Sequence, residues 1–463
     1  MDAGAASASE LARALRERRV SSRELVEACL ARIERVNPSL RAVVALCPER
    51  ARREAEAADL EVARGAWRGP LHGLPITVKD SFDTAGIVST WGTPGRARCV
   101  PDRDATAVAR LRAAGAIVLG KTNTPELTMG FETVNPIYGR TCNPYDLART
   151  PGGSSGGAAA IVAAGGVAFD IGSDTGGSIR LPAHCCGVAG IRPTSGRVPR
   201  TGHAIGPGSA IDALTQIGPL ARRVEDLALV LSVIAGPDGR DPFVAPVPLG
   251  DPAAVDVGRL RVALFTDNGV VAPEPGVAAA VRAAADALAE AGARVEEQRP
   301  PGVEESHELF MRVVVIDGGA ELRRILAHCG TALGDSSLAP LARLAAPAPD
   351  ERVRIVERWD ELRSHLLAWV ERFDLVVCPA NAHAALPHGE SDARMPAFSY
   401  TMTWNLTGWP AAVVRAGATA EGLPIGAQLV APPWREDVAL AAAACVEAAL
   451  GGWRPPQERA EWA

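Results

Sequence analysis

The chain has 463 residues, 47% hydrophobic and 22% charged, and its 48 basic and 54 acidic side chains leave a formal charge of -6. That length supports a sizeable buried core, while the near-balanced charge gives no electrostatic footing for nucleic acid or an anionic membrane. No stretch approaches the roughly 18 apolar residues of a membrane-spanning helix and the start lacks a basic segment followed by an apolar one, so a soluble, cytoplasmic protein is expected.

Capping boxes at Ser7-x-x-Glu10 and Ser21-x-x-Glu24 predict two helices. The second carries Leu25, Cys29, Ile33 and Val36 at helical spacing and should stop at Asn37-Pro38. A third helix follows Pro48 and ends at Gly65. Residues 74–80 read as a strand that delivers Lys79 and Asp80 to a loop. Asp104 is expected to cap a helix closing at Gly115, followed by a strand over 116–119. After Thr124-Pro125, read as a cap and first-turn pair, the chain is loop-rich as far as Pro151-Gly152-Gly153-Ser154-Ser155-Gly156-Gly157. A small-residue helix (158–164), a strand (167–171) and a second glycine loop, Asp174-Thr175-Gly176-Gly177-Ser178, come next.

The Pro- and Asp-rich stretch 236–257 reads as a surface connection. Beyond it come strand 260–265, helix 277–291, strand 294–297, helices across 304–372, strands 374–378, 411–414 and 424–430, and a last helix from Glu436. Strands in both halves predict an α/β fold in a single large domain, 1–463, with a mixed twisted β-sheet core flanked by helices on both faces. Within it, 1–68 is a helical N-terminal region, 69–235 the catalytic core, and 258–463 a second half that adds strands and substrate pocket.

Nine cysteines lie between Cys29 and Cys445 without C-x-x-C spacing, which fits reduced thiols. Cys185 and Cys186 beside His184 lack a second ligand cluster at zinc-like spacing and read as small buried residues rather than a metal site. Only two of the 48 basic residues are lysine, Lys79 and Lys121. In a chain that uses arginine so widely for charge, a surviving lysine is a candidate for what a guanidinium cannot do, since a buried ammonium can lose its proton while arginine stays charged.

The Gly-Gly-Ser-Ser-Gly-Gly tract runs straight into a compact helix and a buried-looking strand, so it reads as a structured loop rather than a linker. No Gly-Lys-[Ser/Thr] closes it, which argues against a phosphate site. It satisfies G-x-S-x-G, yet Pro151 and the loop before it argue against the strand a nucleophile elbow needs.

Lys79 at a strand end, the serine tract, and Asp174-Thr175-Gly176-Gly177-Ser178-Ile179-Arg180 occur together, and in combination they resemble the amidase signature family. The likeness extends over Gly73 to Asp80, Gly120-Lys121-Thr122-Asn123, residues 190–197, and the C-terminal segments 405–410 and 424–429. It implies Ser178 as nucleophile, Ser154 as a bridging serine preceded by a cis peptide bond, and Lys79 as base, with no metal and no cofactor. Asp174 and Arg180 would support the loops, as would Lys121. Arg192 stands where the family commonly shows lysine. Thr128 and Met129 would line the acyl side, with Tyr138, Trp404 and Trp409 as further walls.

The chemistry requires something to accept the proton of an attacking serine. An ordinary lysine is almost entirely charged near neutral pH, so burial beside Ile76 and Val78 is expected to lower its proton affinity, with Asp80 and Asp174 opposing. Backbone N–H groups of Thr175, Gly176, Gly177 and Ser178 would face the oxyanion. The expected function is hydrolysis of a small-molecule carboxamide through an acyl-serine, with esters and carbamates open to the same chemistry and a homodimer left open. The alternative is the glutaminase A-subunit of a tRNA-dependent amidotransferase. Against it, residues 396–405 hold no acidic side chain for the glutamine α-amino group.

Overall fold

Pro75–Lys79 forms a strand buried along its whole length, as expected of a parallel strand covered on both faces. The computed structural model describes residues 2–208, 213–458 and 462. Its strands, in chain order, are β1 (Val43–Leu46), β2 (Pro75–Lys79), β3 (Ile117–Thr122), β4 (Val134–Asn135), β5 (Gly139–Arg140), β6 (Phe169–Asp174), β7 (Ala189–Arg192), β8 (Gln216–Ala221), β9 (Arg261–Leu264), β10 (Arg294–Glu297), β11 (Leu375–Pro379), β12 (Ala411–Ala418) and β13 (Pro424–Val430). β4 and β5 form a separate hairpin, and the rest build one 11-stranded sheet in the order β1-β3-β2-β6-β8-β7-β12-β13-β11-β9-β10. β2 runs parallel to both neighbours, with Thr77 opposite Asp170 and Lys79 opposite Thr122. β6, β8, β7, β12, β13 and β11 then alternate direction, and β11, β9 and β10 are parallel. The α/β architecture with a mixed sheet is therefore as the sequence predicts.

Helices cover both faces. Ile76, Val78, Ile171, Ile217, Val377 and Val414 pack with the helices Val224–Ile234, Pro275–Glu290 and Glu436–Leu450. Leu119, Leu220 and Val413 pack on the other side with Ser22–Leu40 and Gly156–Ala163. Successive strand residues point to opposite faces, so Thr77 and Lys79 turn away from Ile76 and Val78. Among the described residues, no helix is long and apolar enough to cross a membrane.

Local chemistry explains most boundaries. Both N-terminal capping boxes form. The second helix does not stop at Asn37-Pro38; it continues to Leu40, where Arg41 turns left-handed (φ 51°) and the Asn37 amide oxygen takes the N–H groups of Ala42 and Val43, each at 2.8 Å. Asp104 is no cap either: it accepts from the Ala85 N–H at 2.7 Å and pairs with Arg112, while helix Thr106–Ala113 begins without a side-chain cap. Thr124-Pro125 leads only to a 3₁₀ turn, Glu126–Thr128.

Candidate active site

Three segments converge at the C-terminal end of β2. The strand ends on Lys79, the loop before helix Gly156–Ala163 carries Ser154 and Ser155, and β6 ends on Ser173 and Asp174. The Gly153–Ser154 peptide bond is cis. Lys79 is fully buried, with Nζ 2.6 Å from Ser154 Oγ, 2.9 Å from Ser155 Oγ and 3.1 Å from Ser173 Oγ. Ser155 Oγ itself donates to the Ser173 carbonyl at 3.3 Å. The glycine at 172 is required here, because a Cβ there would lie 2.6 Å from Ser155 Oγ.

Desolvation drives the Lys79 amine down from its ordinary value to about 7, against Asp174 and Asp170, which favour the ammonium. The expected direction is therefore found, but its setting differs. Ile76 and Val78 face the opposite side of the sheet, and Asp170 rather than Asp80 joins Asp174 in opposition. Asp80 instead lies 3.9 Å from Lys121, whose ammonium donates to the Phe82 carbonyl, to Thr84 Oγ1 and to Ser89 Oγ. Lys121 thus holds the turn that follows the strand.

Ser178 is 5% exposed and precedes helix Arg180–Cys186. Its carbonyl accepts from the Ser155 N–H at 3.1 Å. Among the described residues, no hydrogen bond joins the Ser154 and Ser178 hydroxyls. Asp174 ties the loop: its carboxylate takes the N–H groups of Gly177 (2.9 Å) and Ile179 (3.1 Å), both forks of Arg180 (2.9 Å each) and the Asn405 amide (2.9 Å). Burial acts to raise this carboxyl, but Arg180 and Arg192 hold it well below the usual range. The Gly177 N–H is thereby committed, which corrects the expectation of four oxyanion donors. The N–H groups of Thr175, Gly176 and Ser178 make no hydrogen bond among the described residues.

Thr401, which carries no motif, accounts for the glycine at 177. Its Oγ1 donates to the Gly176 carbonyl at 2.6 Å, and a Cβ on Gly177 (φ 130°) would sit 2.4 Å from that oxygen. The Gly176 Cα faces aromatic rings, with Phe310 Cζ 2.8 Å and Phe131 Cζ 3.4 Å from where a Cβ would be. Phe131 stacks on Phe398 at 4.3 Å.

The pocket residues expected from the family pattern fare less well. Thr128 is buried in a left-handed conformation (φ 63°) with its hydroxyl unpartnered, and Met129 packs beside Leu127 and Leu341. No hydrogen bond among the described residues links either to the Ser178 loop; Phe131, two positions on, is the residue that reaches it. Trp404 and Trp409 are buried in the apolar core, stacked at 5.8 Å. Phe131, Phe310 and Phe398 belong to no motif either, and only their aromatic character in a chain with 4% aromatics could have flagged them.

The family profile described as Amidase matches residues 24–440. The A-subunit of the glutamyl-tRNA(Gln) amidotransferase of Chloroflexus aggregans is 38% identical, over 89% of this chain and 90% of that protein. Indoleacetamide hydrolase of Bradyrhizobium diazoefficiens is 37% identical, over 96% of this chain and 86% of that protein. The solved structure of 6-aminohexanoate cyclic dimer hydrolase complexed with substrate superposes with a TM-score of 0.89 at 31% identity, covering 99% of both chains. These likenesses and the fold define the class, hydrolases of carbon–nitrogen bonds. The chain belongs to the amidase signature family.

Proposed function

We propose that this chain is a stand-alone amidase, borne by one domain, in which Ser178 attacks the amide carbon, Ser154 relays protons and Lys79 is the base. The observation that carries the reading is the 2.6 Å contact between a fully buried Lys79 amine and Ser154 Oγ. A neutral amine has two N–H donors and one lone pair. Ser155 Oγ, whose own proton goes to the Ser173 carbonyl, and Ser173 Oγ accept the two donors. The lone pair is left for the Ser154 hydroxyl.

In the forward step Ser154 gives its proton to Lys79 Nζ and takes the Ser178 proton as Ser178 Oγ bonds to the carbonyl carbon. The free N–H groups of Thr175, Gly176 and Ser178 receive the developing oxyanion. The relay then runs backwards. Ser154 protonates the leaving nitrogen as the C–N bond breaks, since an unprotonated amide nitrogen is too basic to leave. Water, deprotonated along the same path, releases the acid from Ser178. Asp174 and Arg180 hold the loop and touch no reacting atom.

The aromatic rings beside Gly176 support an uncharged, apolar acyl group. Identity to amidotransferase A-subunits favours the glutaminase reading, but the α-ammonium of glutamine needs an anionic partner and residues 396–405 offer none. Purified chain, without partners, is expected to hydrolyse aryl or alkyl carboxamides and to release no ammonia from glutamine. Glutaminase activity with no turnover of the other amides would reverse the choice.

A further inference from the structure

The relay leaves one carboxylate beside the lysine unused. Asp170 is fully buried in β6. The sheet register puts it on the amine's face: Thr77 lies opposite Asp170 and Lys79 opposite Thr122, and residues two apart along a strand share a face. Thr77 Oγ1 donates to Asp170 Oδ2 at 2.6 Å and Thr122 Oγ1 to the same oxygen at 3.0 Å. Oδ1 is buried and has no hydrogen-bond partner. Both donors to Asp170 are neutral hydroxyls, so the carboxylate has no counter-charge in contact and its field falls on the nearest cations.

The other charged and titratable groups around the site act beside it. Asp174, at the end of the same strand, pairs with Arg180 and lies near Arg192, and it too favours the Lys79 ammonium, ahead of Asp170. Lys121 on β3 lies 3.9 Å from Asp80 and also in the field of Asp170. His203 lies in the field of Lys79 and Lys121, and burial with that repulsion pushes it down to about 3, so it is neutral. Helix Gly156–Ala163 and β8 carry no ionisable side chain. Burial pushes the Asp170 carboxyl up to about 6 against its two threonine donors, the Lys121 ammonium and the Lys79 backbone, so it is mostly charged where Lys79 titrates, near 7.

We propose that Asp170 is a positioning residue for the base: its carboxylate, held on the face of Lys79 by Thr77 and Thr122, raises the pH at which the amine loses its proton. The catalytic consequence rests on Lys79 being the base; the electrostatic statement does not. The chain has two lysines, so lysine labelled with ¹³C at Cε gives two side-chain signals, and loss of one in Lys79→Ala assigns it. Asp170→Asn keeps an oxygen for both threonines and removes the charge that favours the ammonium. The Lys79 midpoint is then expected to fall by about 1.5 pH units, from a unit charge about 7–8 Å away at an effective dielectric near 20. The acid limb of hydrolysis should move with it.

A Lys79 midpoint that stays in place or rises in folded Asp170→Asn overturns the inference. A midpoint that falls while the acid limb stays put upholds the inference and refutes Lys79 as base. If Asp170→Asn does not fold, Thr122→Val, which makes Asp170 harder to ionise, should lower the midpoint by less, and no movement there overturns the inference.

Discussion

Lys79→Arg isolates deprotonation from charge. With its amine pushed down to about 7, a substantial fraction of Lys79 is neutral near pH 7; an ordinary lysine near 10.4 would be neutral in about one molecule in 2,500, a difference of roughly 5 kcal/mol. A guanidinium titrates above 12, so fewer than about one in 10⁵ would be neutral. It must also fit a cage of three serine hydroxyls shaped around a single nitrogen. Amide hydrolysis by Lys79→Arg, measured as initial rates from pH 5 to 10, is expected to fall by at least about 10⁴-fold at pH 7, level with Lys79→Ala. An Arg variant that keeps more than about a tenth of wild-type kcat/KM would refute deprotonation as the role of Lys79, because it would show that the site needs a cation and not a base. Arg192 is the internal comparison: it lies 3.9 Å from Asp174 and donates to the Trp409 and Leu214 carbonyls, work that calls for a cation and its N–H groups and not for loss of a proton.

Wild-type kcat/KM should lose activity as pH falls through about 7, the value to which burial lowers Lys79, because protonation removes the base; a flat profile from pH 5 to 8 would contradict this. Gly177→Ala puts a Cβ 2.4 Å from Thr401 Oγ1 at a φ of 130°, and should cut kcat by about 10²–10³-fold as the oxyanion donors shift, while circular dichroism stays near wild type. Asp174→Asn leaves Arg180 buried without its anion and should destabilise the fold by about 3–5 kcal/mol in denaturant titrations.

The reach of the sequence follows from what is local. Strands at 294–297 and 424–430 coincide with β10 and β13; Gly292 and Pro300 bound the first and Gly422 and Pro432 the second. β1, β7 and β8 are not among the expected strands; β7 and β8 are buried along their length, and their residues lack a period that distinguishes a strand from a buried helix. Lys79, Ser154 and Ser178 are legible through motif spacing and through the scarcity of lysine. Asp170, Ser173, Thr401, Phe310 and Phe398 are not, because their roles arise from contacts across the sheet or between segments more than 100 residues apart. Even the neighbours expected of Lys79 lie on the wrong face, since strand alternation, not sequence adjacency, decides what a side chain meets.

Trapping the intermediate would show the nucleophile itself. Rapid acid quench during turnover of a slow aryl amide, followed by peptide mass mapping, should find the acyl group on Ser178, and Ser178→Ala should carry none. Turnover with the acyl group on another residue, or undiminished turnover by Ser178→Ala, would contradict the Ser178-Ser154-Lys79 relay.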